Sequence, residues 1–219
     1  MFFYVGKPQG VAELRRRNLT SFSRPRHEIP IAVIDDEPFP YSDILRKHDF
    51  NIKELGDPTD IKAVASYSIV LVDIKGVGKH FGSKYEGGHV IEEVKRYFPS
   101  KIVIAYTAYQ LDPSYNRFFQ LCDSSLKKDI DSDAWVDALD SAVRKVQDPI
   151  FQWKRIRKSL VDLDVDAFDI ARLEDEFVIS LAKPNAKFAS NKVLKELSDD
   201  AKQIVLNFAA SALFKSIVG

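Results

Sequence analysis

The chain has 219 residues, 45% apolar and 29% charged, with 32 basic against 32 acidic side chains. That is the make-up of a soluble globular protein with one ordinary domain and an appendage, and the charge balance gives no reason to invoke nucleic acid or an anionic membrane. A single cysteine, Cys122, excludes an internal disulfide framework; with no run of membrane-spanning length and only Met1-Phe2-Phe3-Tyr4-Val5 apolar at the start, a cytoplasmic location is expected.

Residues 1–28 read as a basic arm. Up to residue 27, Lys7, Arg15, Arg16, Arg17, Arg24 and Arg26 stand against one acid, Glu13. Such a run is usually a solvated, loosely ordered segment, here with room for a short helix from Val11 to Leu19.

Residues 29–147 alternate strand and helix. The strand candidates are Ile31–Ile34, Asn51–Leu55, Ile69–Val72, Ile102–Ala105 and Ser124–Leu126. Helical stretches lie at Ser42–Lys47, Thr59–Ala65, Gly88–Tyr97, Pro113–Leu121 and Asp133–Val146. Five such units imply a parallel sheet with helices on both faces. Ser132 is placed as the N-cap of the last helix, whose Val136, Leu139, Val143 and Val146 share one face.

Asp148-Pro149 breaks the pattern, because the residue before a proline is pushed out of helical geometry. Residues 148–219 then show three helical stripes. The first runs over Trp153, Ile156, Leu160 and Leu163, and the second over Phe168, Ala171, Phe177, Val178 and Leu181. The third runs from Val193 through Leu197, Ala201, Ile204, Val205, Phe208 and Ala212 to Phe214, with Lys183-Pro184-Asn185 before it. Its aromatic load, each ring burying about 150–250 Å², exceeds what short solitary helices hide. Packing against the α/β domain, or self-association, is therefore expected. This segment holds as many acidic as basic residues, so it has no basic stripe for DNA; Lys154-Arg155-Ile156-Arg157-Lys158 reads as a solvated face.

The chemistry collects at the strand ends. Ser68-Ile69-Val70-Leu71-Val72-Asp73 is a buried parallel strand delivering a carboxylate into a loop, where open α/β sheets bind their ligands. Ile31-Ala32-Val33-Ile34 likewise delivers Asp35, Asp36 and Glu37. Carboxylates packed that closely repel, so a hard divalent cation, Mg²⁺, is expected to neutralise them. Thr107 and Lys128 follow the fourth and fifth strands. A carboxylate nucleophile, acids for a cation, a hydroxyl and an ammonium together suit a phosphoryl group.

At these residues the chain resembles the receiver domain of two-component response regulators. The matching pieces are Ile31–Glu37, Ile69–Asp73, Ile104-Ala105-Tyr106-Thr107-Ala108 and Cys122–Lys128. The resemblance implies a doubly wound, five-stranded parallel sheet of order 2-1-3-4-5, followed here by an all-α segment. It implies Asp73 as phosphoacceptor, Asp35 and Asp36 as metal acids with Asp73 and the Lys75 backbone carbonyl, Thr107 as switch hydroxyl, and Lys128 as phosphate-pairing lysine. It further implies Mg²⁺, and a histidine kinase or phosphotransfer protein as partner. Activity would be limited to Mg²⁺-dependent self-phosphorylation from a phosphodonor and its reversal. Output would run through protein contacts of the C-terminal helices, with a partner or a second copy.

The chain departs from that pattern in four places. Asp129 stands where the family has proline after its lysine; Lys127 is a near alternative to Lys128; Ser125 occupies the aromatic switch position; and the loop from Ile74 to Gly87 is long and glycine-rich. That loop is expected to be a flexible surface element, lacks the pattern of a nucleotide P-loop, and carries His80 as a surface residue, as is His89 just beyond it. Cys122 reads as a small buried apolar residue, and Tyr106 and Tyr109 as packing or partner-surface residues. The other functions weighed are a receiver-fold adaptor that is not phosphorylated, a DNA-binding regulator using the C-terminal helices, and a phosphohydrolase. The last would place a second acid two residues after its nucleophile, where this chain has Lys75.

Overall fold

In the computed structural model, described over residues 8–19, 23–108, 113–183, 186–211 and 214, the chain opens with a short helix, α1 (Ala12–Arg16). Strand and helix then alternate through β1 (Pro30–Ile34), α2 (Ser42–Lys47), β2 (Asn51–Glu54), β3 (Ile69–Asp73), α3 (Gly87–Tyr97), β4 (Ile102–Thr107), α4 (Asn116–Leu121), β5 (Ser124–Lys127) and α5 (Ser132–Val146). Four helices complete the described chain: α6 (Pro149–Asp162), α7 (Ala167–Ala182), α8 (Asn191–Leu194) and α9 (Asp199–Ala210). Among positions singled out from the sequence, Lys7, Tyr109, Pro184, Asn185 and Ala212 lie outside the described residues.

The five strands form one parallel sheet in the order β2-β1-β3-β4-β5. Every residue of β3 and β4 is buried, as continuous apolar runs require in a sheet covered on both faces. Alternation sends Ala32, Ile34, Val70, Val72, Val103 and Ala105 toward Val90, Ile91 and Val94 of α3 and Phe118 of α4. The other face meets α5, where Trp135 packs against Tyr106. At the edge, β5 is largely exposed. Lys95 and Asp123 tie α3 to the β5 approach at 2.5 Å, and Asp123 also accepts the Val103 N–H at 2.8 Å.

Four elements differ from the sequence expectation, one being Pro113–Leu121, where a 3₁₀ turn, Pro113–Tyr115, precedes α4. Thr59–Ala65 yields only a 3₁₀ turn, Ile61–Val64, capped by Asp60 through the Lys62 N–H. The N-cap of α5 is Asp131, whose carboxylate accepts the Ala134 N–H at 2.7 Å, and Ser132 is the first helical residue. The third C-terminal stripe is broken at Leu197-Ser198: Asp199 and Asp200 begin a new helix, α9, with Ser198 Oγ accepting from Ala201.

Among the described residues the chain divides into two units, Ser23–Gln147 and a helical unit of residues 8–19 with Asp148–Ala210 and Phe214. The described basic segment is therefore not a solvated arm. Leu14 is fully buried in the helical core, Gln9 N–H donates to Asp175 at 2.7 Å and Val11 N–H to Glu174 at 2.9 Å. Glu174 also accepts the Trp153 indole N–H at 2.8 Å. Arg26 belongs instead to the α/β unit, where it forks onto Asp140 at 2.8 and 2.6 Å and stacks over Phe50.

The helical unit has its own core. Trp153 stacks on Phe177 at 5.1 Å between centroids, and Phe188, Phe208 and Phe214 close around them. Of the five aromatics expected to need an outside partner, Trp153, Phe177, Phe208 and Phe214 are thus satisfied within the unit, and Phe168 alone is exposed. Asp148 caps α6 by accepting from Ile150 and Phe151, with Pro149 at the first helical position.

At the opposite end of the sheet from the strand carboxyl ends, Lys101 is buried and donates to the carbonyls of Ala65, at 2.9 Å, and Tyr67. Burial lowers its pKa to about 7. Above that pH the unfolded chain, with an ordinary lysine pKa of about 10.4, still binds a proton that the folded chain has released. The Lys101 contribution to stability therefore rises with pH between about 7 and 10 and is flat below. Urea melts of wild type and Lys101→Met across that range should diverge with rising pH; parallel curves would show that the ammonium stays charged when folded.

Candidate functional site

The sheet order reverses between β1 and β3, whose outer neighbours are β2 and β4, and the crevice beyond their carboxyl ends is the topological switch point. Asp35 and Asp36 follow β1, and Asp73 ends β3. Each brings a carboxylate oxygen to within 4.8 Å of the others, a span on the order of two metal–oxygen bonds of about 2.0–2.1 Å. Asp35 and Asp73 are buried and Asp36 faces solvent, giving a cation an open side. All-oxygen donors, closely set and negatively charged, fit a hard divalent ion.

Lys128 is the counter-charge. Its Nζ lies 2.6 Å from Asp73 Oδ2 and 3.1 Å from Asp35 Oδ2. Its N–H donates to the Thr107 carbonyl at 2.9 Å, extending the β4–β5 pairing by one residue. Lys127 is exposed, so the register is settled in favour of Lys128. Burial alone would lower the Lys128 pKa, but hydrogen bonds to Asp73 and Asp35 outweigh it and hold the ammonium above its usual range. Asp73 is pushed up, first by burial and further by the Asp35 charge, against the opposing pull of Lys128.

Thr107 is buried at the end of β4, beside the Tyr106 position that pairs with Asp73 in register. The Lys75 N–H approaches Asp73 Oδ1 at 3.4 Å, while its ammonium turns to Tyr115, 2.7 Å from the hydroxyl.

Where proline was expected after Lys128, Tyr41 does the holding. Its hydroxyl lies 3.0 Å from the Lys128 carbonyl and 2.6 Å from that of Ile130, spanning Asp129. Tyr41 sits on a segment anchored by Glu54, which accepts from the Phe39 N–H at 3.0 Å and from Ser42.

The loop from Ile74 to Gly87 is folded, contrary to the flexible element expected. Ile74 and Val77 are buried, the Gly76 N–H donates to Glu86 at 2.8 Å, and the Gly78 N–H to Asp57 at 2.6 Å. Gly76 has φ +85°, and a Cβ there would meet the Asp36 carboxylate at 2.2 Å; a Cβ on Gly87 would meet the Asp73 carbonyl oxygen at 1.9 Å. These glycines let the loop close onto the acidic residues. Lys79, from a 3₁₀ turn in this loop, reaches Asp36 at 3.2 Å. His80 is exposed, and His89 packs beside Phe81. Burial raises the Cys122 thiol to about 12, an inert group.

Sequence reasoning missed Tyr106 as a member of the site. Its ring is fully buried, and its hydroxyl donates to Asp35 Oδ2 at 2.8 Å. A tyrosine inside an apolar strand carries no local signal of that bond; only the register of β1, β3 and β4 supplies it.

No helix among the described residues is long and apolar enough to cross a membrane. No protein-family model matches the chain, and no curated protein matches its sequence. Similar solved structures include many response regulator receiver domains, which cover about half of the chain. A CheY-like receiver domain protein from Methanospirillum hungatei JF-1 has 16% identity over 54% of this chain and 95% of its own, with a TM-score of 0.45. The response regulator TrrA of Thermotoga maritima, in complex with Mg²⁺ and BeF, has 20% identity over 52% of this chain and 98% of its own, TM-score 0.43. A Burkholderia pseudomallei response regulator, with a phosphorylated aspartic acid, calcium ion and citrate, has 16% identity over 66% of this chain and 91% of its own, TM-score 0.43.

Proposed function

We propose that this chain is a response-regulator-like signalling protein that accepts a phosphoryl group on Asp73. The donor would be a histidine kinase or phosphotransfer protein, and the signal would pass on through protein–protein contacts of the helical unit. The observation that carries this reading is Lys128 bridging Asp73 and Asp35, with Asp36 alongside, at the sheet's switch point. Each residue then has a task. An Asp73 carboxylate oxygen attacks phosphorus, the bond from phosphorus to the donor breaks, and the electron pair leaves with the donor. Lys128 moves from the Asp73 carboxylate to a phosphoryl oxygen, and the Thr107 hydroxyl donates to another. Asp35, Asp36, Asp73 and the Lys75 carbonyl would hold Mg²⁺, which supplies positive charge against the phosphoryl oxygens. Lys75 lies where a phosphohydrolase would need an acid, and its ammonium is engaged with Tyr115. Turnover is therefore limited to the slow return of the phosphoryl group to water.

The test is incubation of the full chain with Mg²⁺ and a small phosphodonor. An adduct of one phosphoryl group, stable in acid and lost in alkali, is expected. Its absence with donor and Mg²⁺ in excess would leave a receiver-fold adaptor as the function.

A further inference from the structure

The acidic cluster has a wall of aromatic rings on the α5 side of the sheet. Phe39, Tyr41, Tyr106 and Trp135 pack together, with Tyr106 5.4 Å from Phe39 and 5.7 Å from Trp135 between centroids. Phe39 and Trp135 pack against the Tyr106 ring, and its hydroxyl makes its bond to the buried Asp35 carboxylate. An ionised carboxylate only accepts, so the hydroxyl is the donor in this pair.

Asp35 is held from several directions. Its Oδ1 accepts the Glu37 N–H at 3.0 Å; its Oδ2 accepts from Tyr106 at 2.8 Å and from Lys128 at 3.1 Å. The Lys128 bond is shared with Asp73 and is given up if Lys128 turns to another anion. The Tyr106 bond is not shared among the described residues and persists through such a change. A buried carboxylate must keep its oxygens satisfied, and a ligand carboxylate must keep its rotation, so the lasting donors, the Glu37 N–H on Oδ1 and the Tyr106 hydroxyl on Oδ2, set its orientation.

We propose that Tyr106 is a positioning residue for divalent-cation binding: its hydroxyl fixes the Asp35 carboxylate in the rotation that lets it converge with Asp36 and Asp73. This rests on the cation site of the proposed function. It adds that the affinity of that site is set from behind, by a strand residue that does not itself touch the ion. Tyr67, just before β3 at the end of the sheet away from the carboxylates, serves as the contrast.

The experiment is calorimetric titration of the full chain with MgCl₂, for wild type, Tyr106→Phe, Tyr67→Phe, Asp35→Asn and the Tyr106→Phe/Asp35→Asn pair, each checked by circular dichroism and thermal melting. Tyr106→Phe should weaken Mg²⁺ binding about tenfold, the lower end for loss of a hydrogen-bond partner behind a ligand. Tyr67→Phe should stay within about twofold of wild type. In the Asp35→Asn background, the Tyr106 effect should vanish, since the two act through one bond. Equal affinity of wild type and Tyr106→Phe overturns the proposal, as does an undiminished effect in the Asp35→Asn background. A wild type that binds no Mg²⁺ overturns both the proposal and the cation reading beneath it. If Tyr106→Phe does not fold, Tyr106→Leu with the same Asp35→Asn comparison decides on the same criterion.

Discussion

Asp73→Asn should reduce phosphoryl uptake from a small donor by about a thousandfold or more, because the amide keeps the shape of the carboxylate and loses its nucleophile. Loss of uptake would also follow from misfolding, so stability must move the other way. Burial and the Asp35 charge raise the Asp73 pKa, so at pH values between the unfolded and folded pKa the native state holds a proton that the unfolded chain has lost. Wild-type stability therefore falls as pH rises through that window, and above it the strained charge is present. Asp73→Asn removes it. Without Mg²⁺ at pH 7 the variant should melt slightly higher than wild type, and the gain should disappear below the ordinary carboxylate pKa. Intact mass after labelling and melting curves at pH 3.5 and 7 check both halves; labelling equal to wild type would place the acceptor elsewhere.

Lys128→Met should have the largest effect on stability of any single change at the site. The ammonium is the cation shared by Asp35 and Asp73, both nearly enclosed, and its removal leaves two buried carboxylates facing each other. Breaking a buried pair from one side costs about 3–5 kcal/mol, and the partial exposure of Lys128 puts the expected loss near the lower end, about 3 kcal/mol. Because its folded pKa is raised, this stabilisation is fully present below the unfolded lysine pKa and is lost as pH rises through the folded one. The deficit should therefore be constant from pH 6 to 9. Saturating Mg²⁺ should shrink it, since a cation among the same carboxylates replaces the lost charge. Urea melts with chelator and with Mg²⁺ measure this; a variant as stable as wild type under chelator would show that the lysine is not the counter-charge.

The inner strands were legible because burial on both faces leaves a four-residue apolar run no alternative, and the acids at their ends followed directly. Choosing Lys128 over Lys127 depended on one residue of register, and the Lys128 N–H bond to Thr107 decides it. What escaped was contact between residues far apart in sequence. Tyr106 reads as core until Asp35, 71 positions earlier, is placed beside its hydroxyl. Leu14 is one apolar residue among charges, and no helical period is visible in so short a stretch as α1. The long loop looked mobile from its glycines, yet at Gly76 and Gly87 glycine serves close approach to the acids.

The helical unit is assembled from two stretches of sequence with the whole α/β unit threaded between them. Val11 and Glu174, which it must join, are 163 residues apart, and Gln9 and Asp175 are 166 apart. During synthesis the strands of Ser23–Gln147 emerge as a contiguous piece and can collapse early, while α1 waits for α6 and α7 to leave the ribosome. A chain interrupted near residue 147 would carry Leu14 with nothing to bury it, so residues 23–147, rather than 1–147, delimit the fragment that a cell or an expression host could release folded.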